Sequence, residues 1–527
     1  MVKEKDLLQK RVCELADKEI IENSQAKTLN EMVASSDGES RSLAEELVKL
    51  KVSNTLLEGL NNDQQKAFIK IVEHINNPQH DVVRLKGFAG TGKTFVTKRI
   101  LEYILTVYPK HQIALTAPTN KAVQVLSKNS PYSDKSNIFE DYGTVSGKIV
   151  FCTIHKLMAL KEVIDDEGNQ TFLPDKSNSA ILSYQYVIID EASMLSDQLY
   201  NQLIQFKDKV KLIFIGDSAQ IPPIKQQSSI IFSSRCTLNV LDLELTEMMR
   251  QKGEHPIVDL SVQVRNNFTS VYPVGKLVTK INTNGDGVIH VDGKHNRKQI
   301  REIASKFFKS PVFDNDSNHI KIIAWRNVTV KSLNNIVREI LFGKDLPRFV
   351  VGDRIIANKA LFSRGYNRTF NTTTYTIKAN TSDEFVVETV NIQNVHFKEI
   401  TKYSLFSSID ITLKTWVIKA RGIGGLIELH VIHEDSIKEY QELLSELKIT
   451  AKKKKDASYW GVYFNVLKWS DDINYNYALS VHKSQGSTYD NVIVIEEDID
   501  YNPNIVERNR IKYTAYTRAK HRLYILK

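Results

Sequence analysis

The chain has 527 residues, enough for several domains of about 100 to 200 residues each, and a formal net charge of +9, which favours polyanionic partners without identifying one. Its cysteines, Cys13, Cys152 and Cys236, lie far apart with no CxxC spacing, so the sequence indicates neither a disulfide framework nor a cysteine zinc site. No apolar run approaches the roughly 18 residues of a membrane span, and the charged residues 1–6 are unlike a signal peptide. We therefore expect a soluble, cytoplasmic protein with no membrane partner.

Helical periodicity opens the chain, and an alternation of strands and helices follows it. Apolar residues partly follow a helical stripe over residues 1–55, with a break at 35–38, so we expect a helical extension that either packs on the core or forms a flexible tether. From residue 60 to about 249, strand-like apolar runs alternate with helical stretches. This alternation is typical of a parallel α/β layer and predicts a first domain at 56–250.

A second α/β region is interrupted by a β-rich segment. Residues 318–342 and 475–527 repeat the alternation of strands and helices. Between them, residues 346–470 contain short β-rich runs, as an inserted module would. The sequence therefore predicts a second α/β domain formed by 251–345 and 471–527, with the module inserted into it.

A glycine-rich loop in the first domain has the sequence of a phosphate-binding site. Residues 87–94 read GFAGTGKT, a GxxxxGK[ST] pattern between an apolar run and a helical stretch. In such a loop, backbone N–H groups turn toward an anion at a helix N-terminus, Lys93 reaches the β- and γ-phosphates of a nucleotide, and the Thr94 hydroxyl binds Mg²⁺. The alternative is a glycine-rich turn that only joins a strand to a helix. The predicted nucleotide contacts are Gly87, Ala89, Gly90, Thr91, Gly92, Lys93 and Thr94.

Two further strand ends are predicted to meet the same nucleotide. The apolar run 186–189 is followed by Asp190 and Glu191. Asp190 would hold Mg²⁺ through water, and Glu191 would orient or deprotonate the attacking water. The next apolar run, 210–215, leads to Gln220, which is placed to touch the γ-phosphate. Because apolar runs also end at solvated turns, the prediction depends on the three strand ends converging.

The ordered set of motifs resembles the superfamily 1B DNA helicases of the RecD-like group and, within it, the short phage Dda-type helicases. Besides the segments above, six carry the resemblance in family order: 60–68 (LNNDQQKAF), 116–122 (TAPTNKA), 153–157 (TIHKL), 245–250 (LTEMMR), 477–488 (YALSVHKSQGST) and 513–519 (YTAYTRA). The resemblance implies two RecA-like domains in tandem that close on ATP and Mg²⁺. It also implies a hairpin pin at about 157–183 in the first domain and an SH3-like character for the inserted module.

The resemblance adds residues to the nucleotide site. It implies that Gln64 reads the adenine edge and that Gln485 and Gly486 lie at the nucleotide. It further implies that Arg250 and Arg518 are arginines that reach the γ-phosphate when the domains close. Lys93, Asp190, Glu191, Gln220, Arg250 and Arg518 are therefore the expected catalytic residues.

The resemblance also implies that single-stranded DNA lies across the tops of both domains. Hydroxyls, basic groups and strand-end amides suit phosphate oxygens. Family members often have His where this chain has Asn120, and each expected contact could instead be an ordinary surface, capping or core residue. The expected DNA contacts are Pro118, Thr119, Asn120, Lys121, Thr153, His155, Phe172, Asn327, His482, Lys483 and Thr488.

Residues 160–173 are predicted to form a hairpin, since two extended runs flank the turn sequence DDEGN. In the family, a hairpin at this location splits the duplex, and Phe172 is the aromatic residue able to stack on the last base pair. The alternative is that Phe172 packs the hairpin onto its own domain.

The sequence is compatible with three classes of function. The first is a DNA helicase that acts on single-stranded and forked DNA, for which the resemblance implies 5′→3′ movement. The second is a P-loop ATPase that remodels protein, or a nucleotide kinase, and the third is a scaffold without hydrolysis, which would lack Glu191 or the arginines. The sequence shows no acidic or His-rich metal cluster that would support a nuclease activity. We prefer the first, a monomer in a bacterial or phage-infected cytoplasm, with replication, recombination or repair proteins, including a single-strand-binding protein, as candidate partners.

Overall fold

Two parallel sheets covered by helices and a smaller antiparallel module make up the protein. The computed structural model describes residues 23–34, 38–129, 144–145, 148–165, 167, 170–174, 179–223, 226–248, 255–275, 277–291, 297–367, 372–397 and 411–527, with positions 9, 12, 13 and 16 near the N-terminus. No helix in this part of the chain is long and apolar enough to cross a lipid bilayer.

Within the described residues, nine strands belong to the first domain. They are β1 (Val82–Gly87), β2 (Ile113–Ala117), β3 (Thr144–Val145), β4 (Ile149–Thr153), β5 (Leu160–Ile164), β6 (Gln170–Pro174), β7 (Tyr186–Ile189), β8 (Lys211–Gly216) and β9 (Val240–Leu245). Seven of them form one sheet in the order β3-β4-β2-β7-β8-β1-β9, in which only β3 is antiparallel to its neighbour. The central strands β2 and β7 are buried along their whole length, as expected for parallel strands covered on both faces.

The helical extension packs on the first domain. The helices of this part are α1 (Asn23–Ala34), α2 (Gly38–Leu56), α3 (Asn62–Asn76), α4 (Lys93–Val107), α5 (Asn120–Asn129), α6 (Ile154–Leu157) and α7 (Asp197–Leu203). Val33 of α1 and Val48 and Val52 of α2 are buried in one apolar core with Phe68 and Ile104 of α3 and α4. Of the two alternatives that the sequence left open for the extension, packing on the core is therefore the one observed for α1 and α2.

The remaining strands form the second sheet and the module. They are β10 (Lys280–Ile281), β11 (Gly287–Val291), β12 (Ile320–Ala324), β13 (Arg354–Ala357), β14 (Leu361–Asn367), β15 (Thr372–Ala379), β16 (Glu384–His396), β17 (Thr412–Gly422), β18 (Gly425–Ile432), β19 (Ile473–Tyr475), β20 (Ala478–Ser480), β21 (Tyr489–Ile495) and β22 (Ala519–Leu526). The helices are α8 (Pro256–Asn266), α9 (Arg297–Phe308), α10 (Pro311–Asn315), α11 (Asn327–Phe342), α12 (Ile437–Lys454), α13 (Ala457–Leu467), α14 (Val481–Ser484), α15 (Glu496–Asp500) and α16 (Ile505–Tyr516). Short 3₁₀ turns lie at Ile181–Ser183, Ala192–Met194, Ile204–Phe206, Ile230–Phe232 and Glu434–Ser436.

The two large sheets share a strand order. The second sheet runs β10-β11-β22-β21-β12-β20. Read from its other edge, its parallel strands β20-β12-β21-β22-β11 match β4-β2-β7-β8-β1 of the first sheet position by position. This arrangement confirms the predicted tandem of RecA-like parallel α/β domains.

The inserted module is only partly β-rich. Strands β18-β17-β16-β13-β19 form an antiparallel sheet, and β14 and β15 form a hairpin. The segment 346–470 contains the β-rich runs that the sequence indicates, and it also contains helices α12 and α13, between β18 and β19, which the sequence prediction lacks. The missed signal is helical periodicity, because Tyr440, Leu443, Leu447 and Ala451 are buried on one face of α12.

A buried ion pair fixes the start of the module to the second domain. Arg338 of α11 donates to both carboxylate oxygens of Asp353, at 2.8 and 2.9 Å. Asp353 is fully buried, and it also accepts from the backbone N–H of Val350 and the hydroxyl of Tyr477. Because the module sheet begins at the next residue, this pair sets the position from which the sheet extends.

We predict that Asp353→Ala lowers the free energy of unfolding by about 3 to 5 kcal/mol, since it leaves the Arg338 guanidinium buried without a counter-charge. The midpoint of urea unfolding measures the effect. The matched control is Glu442→Ala, which removes one member of an exposed pair with Lys438 and should change stability by less than about 1 kcal/mol. Equal midpoints for the two variants would contradict the role assigned to Asp353.

Candidate nucleotide and nucleic-acid site

The loop between β1 and α4 has a backbone shape that requires glycine. Gly90 and Gly92 have φ of 90° and 83°, in the left-handed region. A Cβ atom on Gly87 would lie 2.6 Å from the Thr91 hydroxyl oxygen. Helix α4 begins at Lys93 without a side-chain cap, so its first N–H groups are available to an anion.

Lys93 and Thr94 stand at the mouth of this loop. The Lys93 ammonium donates to the carbonyl oxygens of Gly87 and Phe88, at 2.7 and 3.1 Å, and thereby lies within the loop. Thr94 is exposed at the start of α4. The loop combines open N–H donors, a lysine and a free hydroxyl, which is the donor set that a nucleotide phosphate with Mg²⁺ uses.

Asp190 and Glu191 follow β7, and Glu191 has an unusual backbone conformation. Glu191 has a φ of +51°, which non-glycine residues adopt rarely and mostly where the surrounding structure enforces it. Burial raises the pKa of Asp190. Burial and the nearby Asp190 charge raise the pKa of Glu191, against the opposing charges of Arg518 and Lys93. A buried carboxylate whose proton affinity is raised beside cationic groups is typical of a catalytic site.

Two buried oxygens at this site lack a hydrogen-bond partner within the described residues: Oε2 of Glu191 and Oε1 of Gln220. Gln220 follows β8 and is 4% exposed. Because β7, β8 and β1 are neighbours in the sheet, the three predicted strand ends lie side by side. Unpaired buried oxygens next to a phosphate loop and a carboxylate fit a water, a cation or a ligand.

The second domain contacts the first directly beside the loop. The Tyr513 hydroxyl donates to Asp217 at 2.6 Å and accepts from the Ala89 N–H at 3.4 Å. The backbone of Ile221 bonds to the second domain through its N–H to the Thr514 hydroxyl and its carbonyl to the Gln485 amide. Neither Tyr513 nor Asp217 was identified from the sequence as a site residue.

Arg518 lies at this boundary with its charge uncompensated. It is 5% exposed and donates to the carbonyls of Thr514 and Ser487, both at 3.0 Å, and to the Thr517 hydroxyl. No carboxylate of the described chain forms an ion pair with it, and its charge acts on Glu191. The neighbouring Gly486, with φ of 72°, lies against Ala122 of α5. The other predicted arginine, Arg250, lies outside the described residues.

Gln64 contacts the loop itself. Its side chain is fully buried, donates to the Thr91 carbonyl at 2.9 Å and accepts from the Asn61 N–H at 3.1 Å, as part of the cap of α3. Both ends of the amide are thus satisfied within the protein, and it ties α3 to the phosphate loop. Recognition of an adenine edge by Gln64 stays a prediction.

The same local structure lies at equivalent strand ends of the two sheets. At the end of β4, the Thr153 hydroxyl accepts from the Lys156 N–H at 3.3 Å and begins α6. At the end of β20, the Ser480 hydroxyl accepts from the Lys483 N–H at 3.4 Å and begins α14. The sequences, TIHK and SVHK, match in type at every position. We call these two segments, 153–156 and 480–483, the twin corners.

The histidines and lysines of the twin corners have lowered pKa values. Burial lowers the pKa of His155 and His482, so both rings are mostly neutral at pH 7 and can donate an N–H. Burial also lowers the pKa of Lys156 and Lys483. The Lys483 ammonium donates to the side-chain oxygen of Asn358. A partly desolvated lysine is stabilised when an anion binds beside it, so contact of these corners with a phosphate stays a prediction.

Lys121 is placed differently from the prediction. Its ammonium forms a 2.6 Å ion pair with Glu384 of the module, and neighbouring Gln124 donates to Asp383 at 2.7 Å. Burial opposes ionisation of Glu384, but Lys121 and Lys321 outweigh it and lower its pKa to about 2. In this conformation Lys121 therefore joins the first domain to the module, and its ammonium is not free to contact a DNA phosphate.

The other expected DNA contacts lie at or near strand ends. Thr119 accepts from the Ala122 N–H at the start of α5, where Pro118 and Asn120 are half-buried. Asn327 and Thr488 are exposed, the first at the start of α11 after β12. Residues 118–120 follow β2 and Asn327 follows β12 at the carboxyl ends of these strands, whereas Thr488 directly precedes β21.

The predicted hairpin is present as β5 and β6, with Glu162 opposite Phe172. Phe172 is 41% exposed, and its ring lies nearly perpendicular to that of His155 with centroids 5.8 Å apart. Its carbonyl accepts from Gln202 at 2.7 Å. Phe172 thus contacts its own domain on one side and leaves part of its ring open to solvent.

Comparison with known proteins gives matches in both domains. Residues 70–226 match a family model described as an AAA domain, and residues 475–526 match the UvrD-like helicase C-terminal domain. An uncharacterized protein of Acanthamoeba polyphaga mimivirus is 29% identical over 501 residues, covering 88% of this chain and 99% of that protein. The ATP-dependent DNA helicase dda of Enterobacteria phage T4 is 24% identical over 496 residues, covering 89% and 99%. A solved structure of a Pif1 helicase from Bacteroides with ADP-AlF3 and ssDNA has 16% identity, coverages of 88% and 92%, and a TM-score of 0.43.

We predict that Gly87→Ala weakens binding of a fluorescent ATP analogue at least about tenfold, because the added Cβ would collide with the Thr91 hydroxyl and distort the loop. Equilibrium titration measures the effect. Gly461→Ala is the matched control, since a Cβ at that helical glycine meets no atom of the described chain within 4 Å. If Gly87→Ala bound the analogue as tightly as the original chain, the assignment of this loop to the nucleotide site would be wrong.

Proposed function

We propose that this chain, a superfamily 1B helicase of the RecD/Dda-like group, hydrolyses ATP between its two RecA-like domains to move 5′→3′ along single-stranded DNA and to separate duplex strands. The observation that carries the proposal is the combination of one interdomain phosphate loop with twin corners on both sheets. The phosphate loop supplies a nucleotide site that both domains contact. The twin corners supply a contact to DNA on each domain. The direction of movement is supported by the family resemblance alone.

The nucleotide chemistry is assigned to groups around the loop. Mg²⁺, bound by Thr94 and Asp190, would neutralise charge on the phosphates. Glu191 accepts the proton of the attacking water, a role that its raised pKa supports. Gln220, with an unpaired buried oxygen, positions that water or the γ-phosphate. Arg518 brings an uncompensated positive charge from the second domain, and we assign a similar role to Arg250.

Movement requires that nucleotide state and domain position be linked. The Tyr513 hydroxyl contacts both Asp217 and the loop residue Ala89, so a change at the phosphates acts on a bond between domains. ATP that binds the closed state more tightly than the open state shifts the balance toward closure, and its hydrolysis removes that bias. When the two domains close and open in turn, the distance between the twin corners along the single-stranded DNA changes.

The DNA substrate is supported by the twin corners and by the net charge of +9. An ATPase that acts on protein, or a nucleotide kinase, gives no reason for the same hydroxyl-His-Lys helix start at equivalent strand ends of two sheets. All groups assigned to the site belong to one chain, which supports function as a monomer. A bacterial or phage-infected cytoplasm and a partnership with a single-strand-binding protein stay predictions from the resemblance.

The central test compares ATP hydrolysis with and without single-stranded DNA, followed by unwinding of forked duplexes with a 5′ or a 3′ tail. We predict at least a tenfold stimulation by DNA and unwinding only with the 5′ tail. Glu191→Gln should retain nucleotide binding but lower turnover about 10² to 10⁴-fold, since it removes the proton acceptor. Glu442→Gln, at an exposed site, is the matched control. Turnover that is indifferent to DNA would refute the proposal.

We predict that Phe172→Ala lowers the rate of unwinding at least about tenfold while DNA-stimulated ATP hydrolysis changes less than twofold, because the exposed ring would act on the duplex and not on the nucleotide. Leu173→Ala is the control, as its side chain is 50% exposed on the adjacent residue of the same strand. Parallel loss of both activities would instead support a packing role for Phe172.

A further inference from the structure

An exposed aromatic ring stands at the carboxyl edge of the second sheet, outside every site described above. Tyr501 follows α15, which continues directly from β21, and its side chain is 56% exposed. The guanidinium carbon of Arg326, at the end of β12, lies 4.0 Å from the centre of the Tyr501 ring. Because β21 and β12 are adjacent in the sheet, the two side chains meet across neighbouring strand ends.

A buried carboxylate fixes the arginine of this pair. Asp498, 1% exposed, accepts from the backbone N–H groups of Trp325 and Arg326 at 2.7 and 2.8 Å. It also accepts from Arg326 Nε and from the Thr329 hydroxyl, both at 2.6 Å. Four bonds to one carboxylate hold the Arg326 side chain in place before any ligand arrives. The ring therefore lies against a preorganised cation.

The pair lies in line with the groups already assigned to DNA. Sheet order places the ends of β21, β12 and β20 next to one another, and these strands precede Tyr501, Asn327 and the second twin corner respectively. Neighbouring strands are about 4.8 Å apart, so three strand ends cover about 10 Å. That span is short enough for one segment of single-stranded DNA to reach all three.

We propose that Tyr501 is a base-stacking platform of the DNA track, on which one unpaired base of the strand lies against the exposed ring. This inference rests on the proposed function. Aromatic rings take every base, because each base has a π-face, which suits a protein that moves along a strand without reading its sequence. Arg326, whose Nε donates to Asp498, keeps its side chain 40% exposed and can donate its outer N–H groups to the adjoining backbone phosphate.

The competing role for Tyr501 is to cover Arg326. That role is weak, since Arg326 is already held by Asp498 and keeps its side chain 40% exposed. The two roles differ in one measurable respect. A stacking ring contributes through bases and releases no counterions, whereas a residue that only positions a cation acts through phosphates and changes the salt dependence of binding.

The test measures binding of a fluorescent single-stranded oligonucleotide to the full chain by anisotropy, over a range of salt concentrations. We expect Tyr501→Leu to bind about five- to a hundredfold more weakly with an unchanged slope of log affinity against log salt. Tyr501→Phe should bind like the original chain. Lys483→Ala should reduce the magnitude of this slope by about 1, the amount expected for the loss of one phosphate contact. Leu50→Ala, which alters another 56% exposed side chain on α2, should change nothing.

An oligonucleotide with abasic sites provides the second measurement, and there the difference between Tyr501→Leu and the original chain should vanish. If the original chain binds DNA and Tyr501→Leu binds equally well, the platform is refuted while the proposed function stands. A Tyr501→Phe defect as large as that of Tyr501→Leu, or a defect that persists on abasic DNA, also refutes it. Failure of the original chain to bind single-stranded DNA refutes both.

Discussion

Parallel pairing is the constraint on which the site depends, because it brings the loop after every strand to one edge of the sheet. Within the order β4-β2-β7-β8-β1, the three adjacent strands β7, β8 and β1 end at the phosphate loop and its carboxylates. The other two, β2 and β4, end at Thr119 and at the first twin corner. The topology thus places the phosphate loop with its carboxylates beside the strand ends that carry Thr119 and the first twin corner, with neighbouring strands about 4.8 Å apart.

The second sheet repeats that strand order without the sequence of a phosphate loop. No GxxxxGK[ST] sequence follows β11. Glu496, at the strand end equivalent to that of Asp190, is neutralised by Lys512 at 2.6 Å, and Asp498 holds Arg326. Acidic residues thus follow equivalent strands in both domains, but their pairing with cationic side chains differs. In the first domain they stay poorly compensated, while in the second they are fully paired and serve to fix the surface.

Local sequence predicted what is local in the structure. The loop at 87–94 and the strand end at Asp190 could be predicted because their chemistry lies in consecutive residues. The engagement of Lys121 by Glu384 could not, since the two lie 263 residues apart and no pattern links them. The same holds for Tyr513 and Asp217, 296 residues apart. Helices α12 and α13 were missed for another reason, as short β-rich runs nearby outweighed a clear helical period.

The pair of Lys121 and Glu384 bears on how this architecture can be assembled and exchanged. During synthesis, Lys121 leaves the ribosome long before Glu384 is made, so the first domain must fold with that lysine still facing water. Arrival of the module then provides the Glu384 carboxylate as its partner. If the module were replaced by that of a relative without an acidic residue at the position of Glu384, the Lys121 ammonium would be buried without a partner. The free energy of unfolding would then fall by several kcal/mol. Chimeric exchange should therefore transfer both partners together, although they belong to different domains.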